Sequence, residues 1–318
     1  MTTGVIEEIP PDPILERREM VQRVARRTFE RRMRVSQAMI GLCAVGLLVA
    51  LVPLFAILYS LISKGVHWWS IDFFTKVPQF PSLIDPNEVG GISNAIIGSL
   101  VIDAIAALFA IPIGVVAGLF LAESTSKFAN ALRTTAEIMT GLPSILLGIF
   151  AYQMIVIGFN EWGIKLPGIG FSGLAGSFAI GILMIPIIMK ASETALRAVP
   201  APIREAGLAL GARRGVVARK VIIPTALPGL VTAVLLAFSR AVGETAPILW
   251  VIGASTVVSW NPKKEMASMP LQIFQSATSP YVSLREEAWG IALLLVVIVL
   301  VINLGSRLLA AWLQRERR

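Results

Sequence analysis

Residues 93–122 read SNAIIGSLVIDAIAALFAIPIGVVAGLFLA, thirty residues interrupted by a single charge, Asp103. A helix rises about 1.5 Å per residue, so about 20 apolar residues cross the hydrocarbon core of a bilayer. Five further runs have comparable length: Ala38 to Ile62, Ile138 to Gly158, Leu166 to Met189, Val221 to Ser239 and Ala288 to Ser306. The fifth run in chain order, Val221 to Ser239, continues past Arg240 and Glu244 toward Trp250. Backbone groups find no water in lipid, so runs of this kind span as helices. The expected fold is an all-α, polytopic membrane protein with about six transmembrane helices.

The composition agrees. Hydrophobic residues make up 55% of the 318 and charged ones 15%, with a mean hydropathy of +0.75. Soluble domains carry about 25% charged residues, which argues against a soluble enzyme. One Cys and one His argue against a disulfide scaffold or a Cys/His zinc site. No catalytic residue and no metal-ligand set is read in the chain. The first run starts only at residue 38 and is far longer than a signal-peptide core, so it reads as a permanent span.

The net charge of +8 reports topology and not nucleic-acid binding. Eight arginines between Arg17 and Arg34 precede the first run. Lys127 and Arg133 follow the second, seven basic residues from Lys190 to Lys220 follow the fourth, and four lie from Arg307 onward. The intervening segments hold only six. The positive-inside rule then puts both termini on the cytoplasmic side of an inner or plasma membrane. The expected organisation is a basic N-terminal segment over 1–37, a membrane domain over 38–312 and a short cytoplasmic tail over 313–318. Within 1–37, a mobile leader carrying Pro10, Pro11 and Pro13 would precede a basic helix along the membrane surface. Residues 63–92 and 252–286 read as external loops, the first with Trp68 and Trp69 as interface anchors.

Several motifs reduce to packing or turns. Gly168-Ile-Gly170-Phe-Ser-Gly173 fits a dinucleotide pattern but has no strand–helix setting, so it reads as a glycine-rich turn. No P-loop is present. Gly114 and Gly118 read as a close helix contact, His67 as a polar loop residue, Cys43 as packing and Glu137 as interfacial.

The cytoplasmic loop from about 190 to 224 carries more. Over 199–211 it reads VPAPIREAGLALG. Pro202 suits a first helical turn, Glu205 the positive helix start and Gly211 a C-terminal stop. Two turns are too short to be stable alone and gain stability by docking. Ile203, Ala206, Leu208 and Leu210 supply apolar surface, while Ala206, Gly207, Ala209 and Gly211 permit close approach. The docking surface is either another chain or this protein's own cytoplasmic face.

Arg240 and Glu244 stand four apart, on one face if the helix continues through them, so they can pair. Charges within a span face a bundle interior or an aqueous path, so the pair is either a packing element or part of a path. Arg240 lies about 24 Å beyond Pro224 along a helix, toward the outer side. Asp103 either lines the path, pairs with Arg240 or has a structural role.

Glu205-Ala206-Gly207, Gly211 and, nine residues later, Val221-Ile222-Ile223-Pro224 resemble the cytoplasmic signature of permease subunits in bacterial ABC importers. Gly207, Val221 and Ile223 depart from that signature while keeping size and polarity. Further strings are similar to the PstA family of phosphate-uptake permeases. They are Gly118-Leu-Phe-Leu-Ala-Glu123, Leu142-Pro143-Ser144-Ile145 and Arg240-Ala-Val-Gly-Glu-Thr-Ala-Pro247. The resemblance covers roughly residues 38–312. It implies a permease forming half of a phosphate pore, with Glu205, Ala206, Gly207 and Gly211 in a helix that docks on an ATPase. It also implies a PstC-like second permease, a PstB-like ATPase dimer that binds ATP and Mg2+, and a PstS-like phosphate-binding protein. No cofactor is expected in this chain itself. A permease for sulfate or molybdate is the nearest alternative. An ATP-independent transporter and a membrane sensor are others, against which the 205–211 loop argues.

Overall fold

The computed structural model describes residues 13–79, 90–159 and 167–315. The expected leader over the first dozen residues and the last three residues of the tail lie outside these ranges. Among the described residues every regular element is helical, apart from isolated backbone bridges between Pro78 and Gly90 and between Gly158 and Pro167. The chain divides into two compact units, residues 1–60 and 61–318.

The first unit contains nearly all of helix α1 (Pro13–Gly65), which runs without a break across residues 37 and 38. Its apolar side chains between Met39 and Tyr59 are mostly exposed, as lipid-facing residues are.

In the second unit, α3 (Ser93–Glu123) and α6 (Gly173–Arg197) form the central pair, preceded by a short α2 (Ile71–Thr75). Gly114 and Gly118 make this contact close, as the sequence predicts. A Cβ on Gly114 would stand 2.7 Å from the Ile188 side chain, and one on Gly118 2.7 Å from the Met189 carbonyl oxygen. Around the pair lie Ile102, Ala106, Ala110, Ala179, Ile180, Met184 and Ile188, all buried. Pro112 and Pro186 sit inside these helices, which membrane helices tolerate because neighbours satisfy the freed carbonyls.

The expected single span over 138–158 is instead a bent pair. Helix α4 (Lys127–Gly141) and the segment from α5 (Ser144–Ala151) to Ile157 meet at 103°. Pro143 disfavours helical geometry at the residue before it, and Leu142 is accordingly extended (φ −71°, ψ 141°). Among the described residues the membrane count is therefore five long helices, or six with this bent pair taken as one span.

The fifth long run is broken into α8 (Arg214–Val217), a wider π-type turn over Ala218–Ile222, and α9 (Ile223–Val242). It stops at Val242, so the expected continuation toward Trp250 is a turn. The expected external loop over 252–286 contains α10 (Met269–Ala277), started by Ser268, whose hydroxyl accepts the Leu271 N–H at 3.4 Å. Met266, Met269 and Leu271 are buried, and Met266 enters the central core. Helix α11 (Val282–Arg315) closes the chain. Trp69 donates its indole N–H to the Gly290 carbonyl at 3.2 Å. Both Trp68 and Trp69 pack with Phe74 against the cluster of Phe73 and Ile291, so they serve protein packing.

Candidate functional site

The intramembrane charges gather where α9 ends. Arg240 lies in its last turn, and Glu244 lies beyond the helix, past Gly243. Their pairing is as expected in partner but not in geometry. The Arg240 Nε donates to Glu244 Oε1 at 3.2 Å across a helix terminus instead of along a helix face. The Glu244 N–H, bonded to the Ala241 carbonyl at 3.1 Å, fixes that turn. A cation here also meets the negative end of the helix dipole. The Arg240 side chain is 58% exposed in the single chain and Glu244 18%, so most of the guanidinium fork stays open while the carboxylate is held inside. The following Pro247 rests against α5, its carbonyl 2.6 Å from where a Gly148 Cβ would stand. The Gly-Glu-Thr-Ala-Pro string is thus clamped at both ends.

Asp103 does not pair with Arg240 among the described residues. It is buried on α3 and lines, with Ser99, Ser268 and Glu244, a cavity of about 10 Å3, near the lower limit for one water. Asp103 and Glu244 therefore share one small space, walled mostly by apolar side chains such as Ile102, Ile180 and Val242. A phosphate has no room there.

On the side carrying the basic loop, α7 (Ala201–Ala209) follows the pattern read from sequence. Pro200 leads into it in an extended conformation, Pro202 occupies its first turn, and Gly211 ends it at φ +79°. That left-handed conformation suits glycine and lets the Gly211 N–H reach the Leu208 carbonyl at 2.9 Å. Glu205 and Ala206 are exposed. So are Ile203, Leu208 and Leu210, the last at 88%. Gly207 is half-buried against its own chain, where an added Cβ would stand 3.1 Å from Val217. Arg204 and Gly207 are half-buried against the rest of the chain, while the other residues of α7, several of them apolar, are exposed.

Sequence reasoning missed a charged cluster behind α7. Glu193, buried near the end of α6, accepts from Arg133 at 2.8 Å and pairs with Arg197 at 3.0 Å. Lys190 pairs with Glu137 at 3.3 Å. Arg204 on α7 pairs with Glu123, the last residue of α3. The i, i+4 spacing of Glu193 and Arg197 was the available signal; the long-range partners had none.

The fold recurs in chains of solved ABC transporters. A chain of a bacterial alginate ABC transporter, solved with its pentasaccharide-bound periplasmic protein, has this fold at a TM-score of 0.59. Its sequence identity is 14% over 87% of this chain and 94% of that one. A chain of the MetNI methionine ABC transporter, in an inward-facing conformation, matches at 0.52 with 22% identity over 70% and 94%.

The chain belongs to the binding-protein-dependent transport system inner membrane component family, which matches residues 110–318, and within it to the PstA permeases. The phosphate transport system permease protein PstA of Haemophilus influenzae is 38% identical over 275 residues, 86% of this chain and 93% of the relative. That of Xylella fastidiosa Temecula1 is 35% identical over 88% and 94%. PstA 1 of Mycobacterium tuberculosis H37Rv is 31% identical over 85% of each chain.

Proposed function

We propose that this chain is the permease subunit of an ABC importer for inorganic phosphate, forming half of a pore whose other half is a PstC-like permease. The observation that carries the reading is the exposed apolar surface of α7 and its C-terminal end, to which Ile203, Leu208 and Leu210 contribute. A helix this short keeps three apolar side chains in water only when a partner covers them. A PstB-like ATPase dimer supplies that cover and binds ATP and Mg2+; this chain breaks no bond itself. A PstS-like protein delivers phosphate at the opposite side. The names of the PstA relatives support phosphate as the cargo over sulfate or molybdate.

Arg240 suits such a cargo. Its planar fork donates two parallel hydrogen bonds to phosphate oxygens and stays charged at any ordinary pH. Glu244 holds one guanidinium nitrogen, which lowers the pull on the anion, and conduction needs binding weak enough to release. The Lys and Arg distribution supports cytoplasmic termini, with α7 on the same side.

One experiment tests docking and orientation together. With Cys43 replaced by Ser, Leu210→Cys is expected to crosslink to the co-expressed ATPase. In intact cells the same cysteine should ignore a membrane-impermeant thiol reagent and react only after the membrane is opened. Labelling of intact cells, or an ATPase that never crosslinks, would contradict the reading.

A further inference from the structure

The cluster behind α7 does more than neutralise charge. Arg204 bonds inward, to its own chain. One of its terminal nitrogens bonds the Glu123 carboxylate at the end of α3, and the other donates to the Leu196 carbonyl of α6 at 2.7 Å. Its side chain and that of Glu123 are 22% and 32% exposed. Arg197 and Arg133 both donate to the Leu121 carbonyl, at 3.0 and 3.4 Å, while sharing Glu193. Leu121 and Leu196 belong to the last turns of α3 and α6. Carbonyls at a helix end lack intrahelical donors and carry the negative pole of the dipole. Three arginines therefore cap the ends of the central helix pair, and one of the three rides on the helix proposed to meet the ATPase.

We infer that Arg204 is a positioning residue for coupling: it ties α7 to α3 and α6 at once, so a displacement of α7 is passed to the central pair. This rests on the reading of α7 given above. The alternative, an ion pair that only stabilises the fold, differs in what it does to stoichiometry. Two charge-assisted hydrogen bonds are lost in Arg204→Ala. Each such bond contributes enough to set a population ratio of about tenfold or more.

The test uses the whole complex in vesicles, measuring retained ATPase, ATP hydrolysis and radiolabelled phosphate uptake on the same preparation. In Arg204→Ala the ATPase is expected to remain bound and to hydrolyse ATP, because the docking face is untouched. The phosphate moved per ATP should fall about tenfold. Arg204→Lys keeps the charge but not the fork and should fall less. The exchange Glu123→Arg with Arg204→Glu restores the ion pair and should recover part of the loss. An unchanged ratio of phosphate to ATP in Arg204→Ala would overturn the inference. So would hydrolysis and uptake that fall together, or an exchange variant no better than Arg204→Ala. A wild-type complex that does not retain the ATPase would overturn the reading of α7 and the inference with it.

Discussion

Gly118→Leu is expected to leave almost no folded chain in the membrane. The space a side chain would enter is bounded by backbone: the Met189 carbonyl oxygen at 2.7 Å and the Glu193 nitrogen at 3.1 Å, with the Ser192 Cβ at 2.7 Å. A flexible neighbour could turn away; a helix backbone cannot. Overpacking a core costs about 1–3 kcal/mol and more where nothing yields, and this contact joins the two central helices at Glu193 itself. Gly41→Leu is the matched control, since nothing lies within 4 Å of its added Cβ. Extraction in mild detergent and size-exclusion chromatography should give a monodisperse peak for Gly41→Leu and none for Gly118→Leu. Equal peaks would show that α3 and α6 are not held together as described.

Arg240→Gln has the second large effect, on flux and not on assembly. Gln keeps hydrogen-bonding capacity and loses the charge, and a hydrogen bond to a charged group contributes about 1.5–3 kcal/mol. Phosphate uptake per assembled complex is therefore expected to fall about tenfold to a hundredfold. Arg240→Lys, with charge but no fork, should fall less. A packing pair predicts the opposite pattern. Arg240→Gln and Glu244→Gln would each assemble poorly, and the double substitution would recover. Normal uptake by assembled Arg240→Gln would remove the residue from the path.

Long apolar runs were legible in sequence because a single physical requirement, crossing about 30 Å of hydrocarbon, sets their length. The helix α7 was legible for a different reason: Pro202 and Gly211 mark its two ends by local chemistry. What failed was anything set by chain direction inside an apolar run. Hydropathy over 138–158 does not see that Pro143 turns the chain through 103°, because Pro, Leu and Ile are all apolar. Nor does it register α10, nine residues and too short to fill a spanning window. The Arg240–Glu244 pair was predicted from spacing, yet the helix ends between its members. The spacing held because a capping turn brings i+4 back near i. The bonds of Arg133 to Glu193 and Arg204 to Glu123 join residues 60 and 81 apart in the chain, and they follow only once the close α3–α6 contact is built.

The central claim is that this chain conducts phosphate inward only when an ATPase works on it. The direct measurement is radiolabelled phosphate uptake into vesicles that hold this chain with its second permease and ATPase. The phosphate-binding protein is supplied outside and ATP is trapped within. Uptake is expected to require ATP, to cease when the ATPase is inactivated by substitution in its own ATP site, and to resist excess sulfate or molybdate. Uptake that survives loss of ATP hydrolysis and collapses with an ion gradient would contradict the account, and so would uptake abolished by sulfate or molybdate.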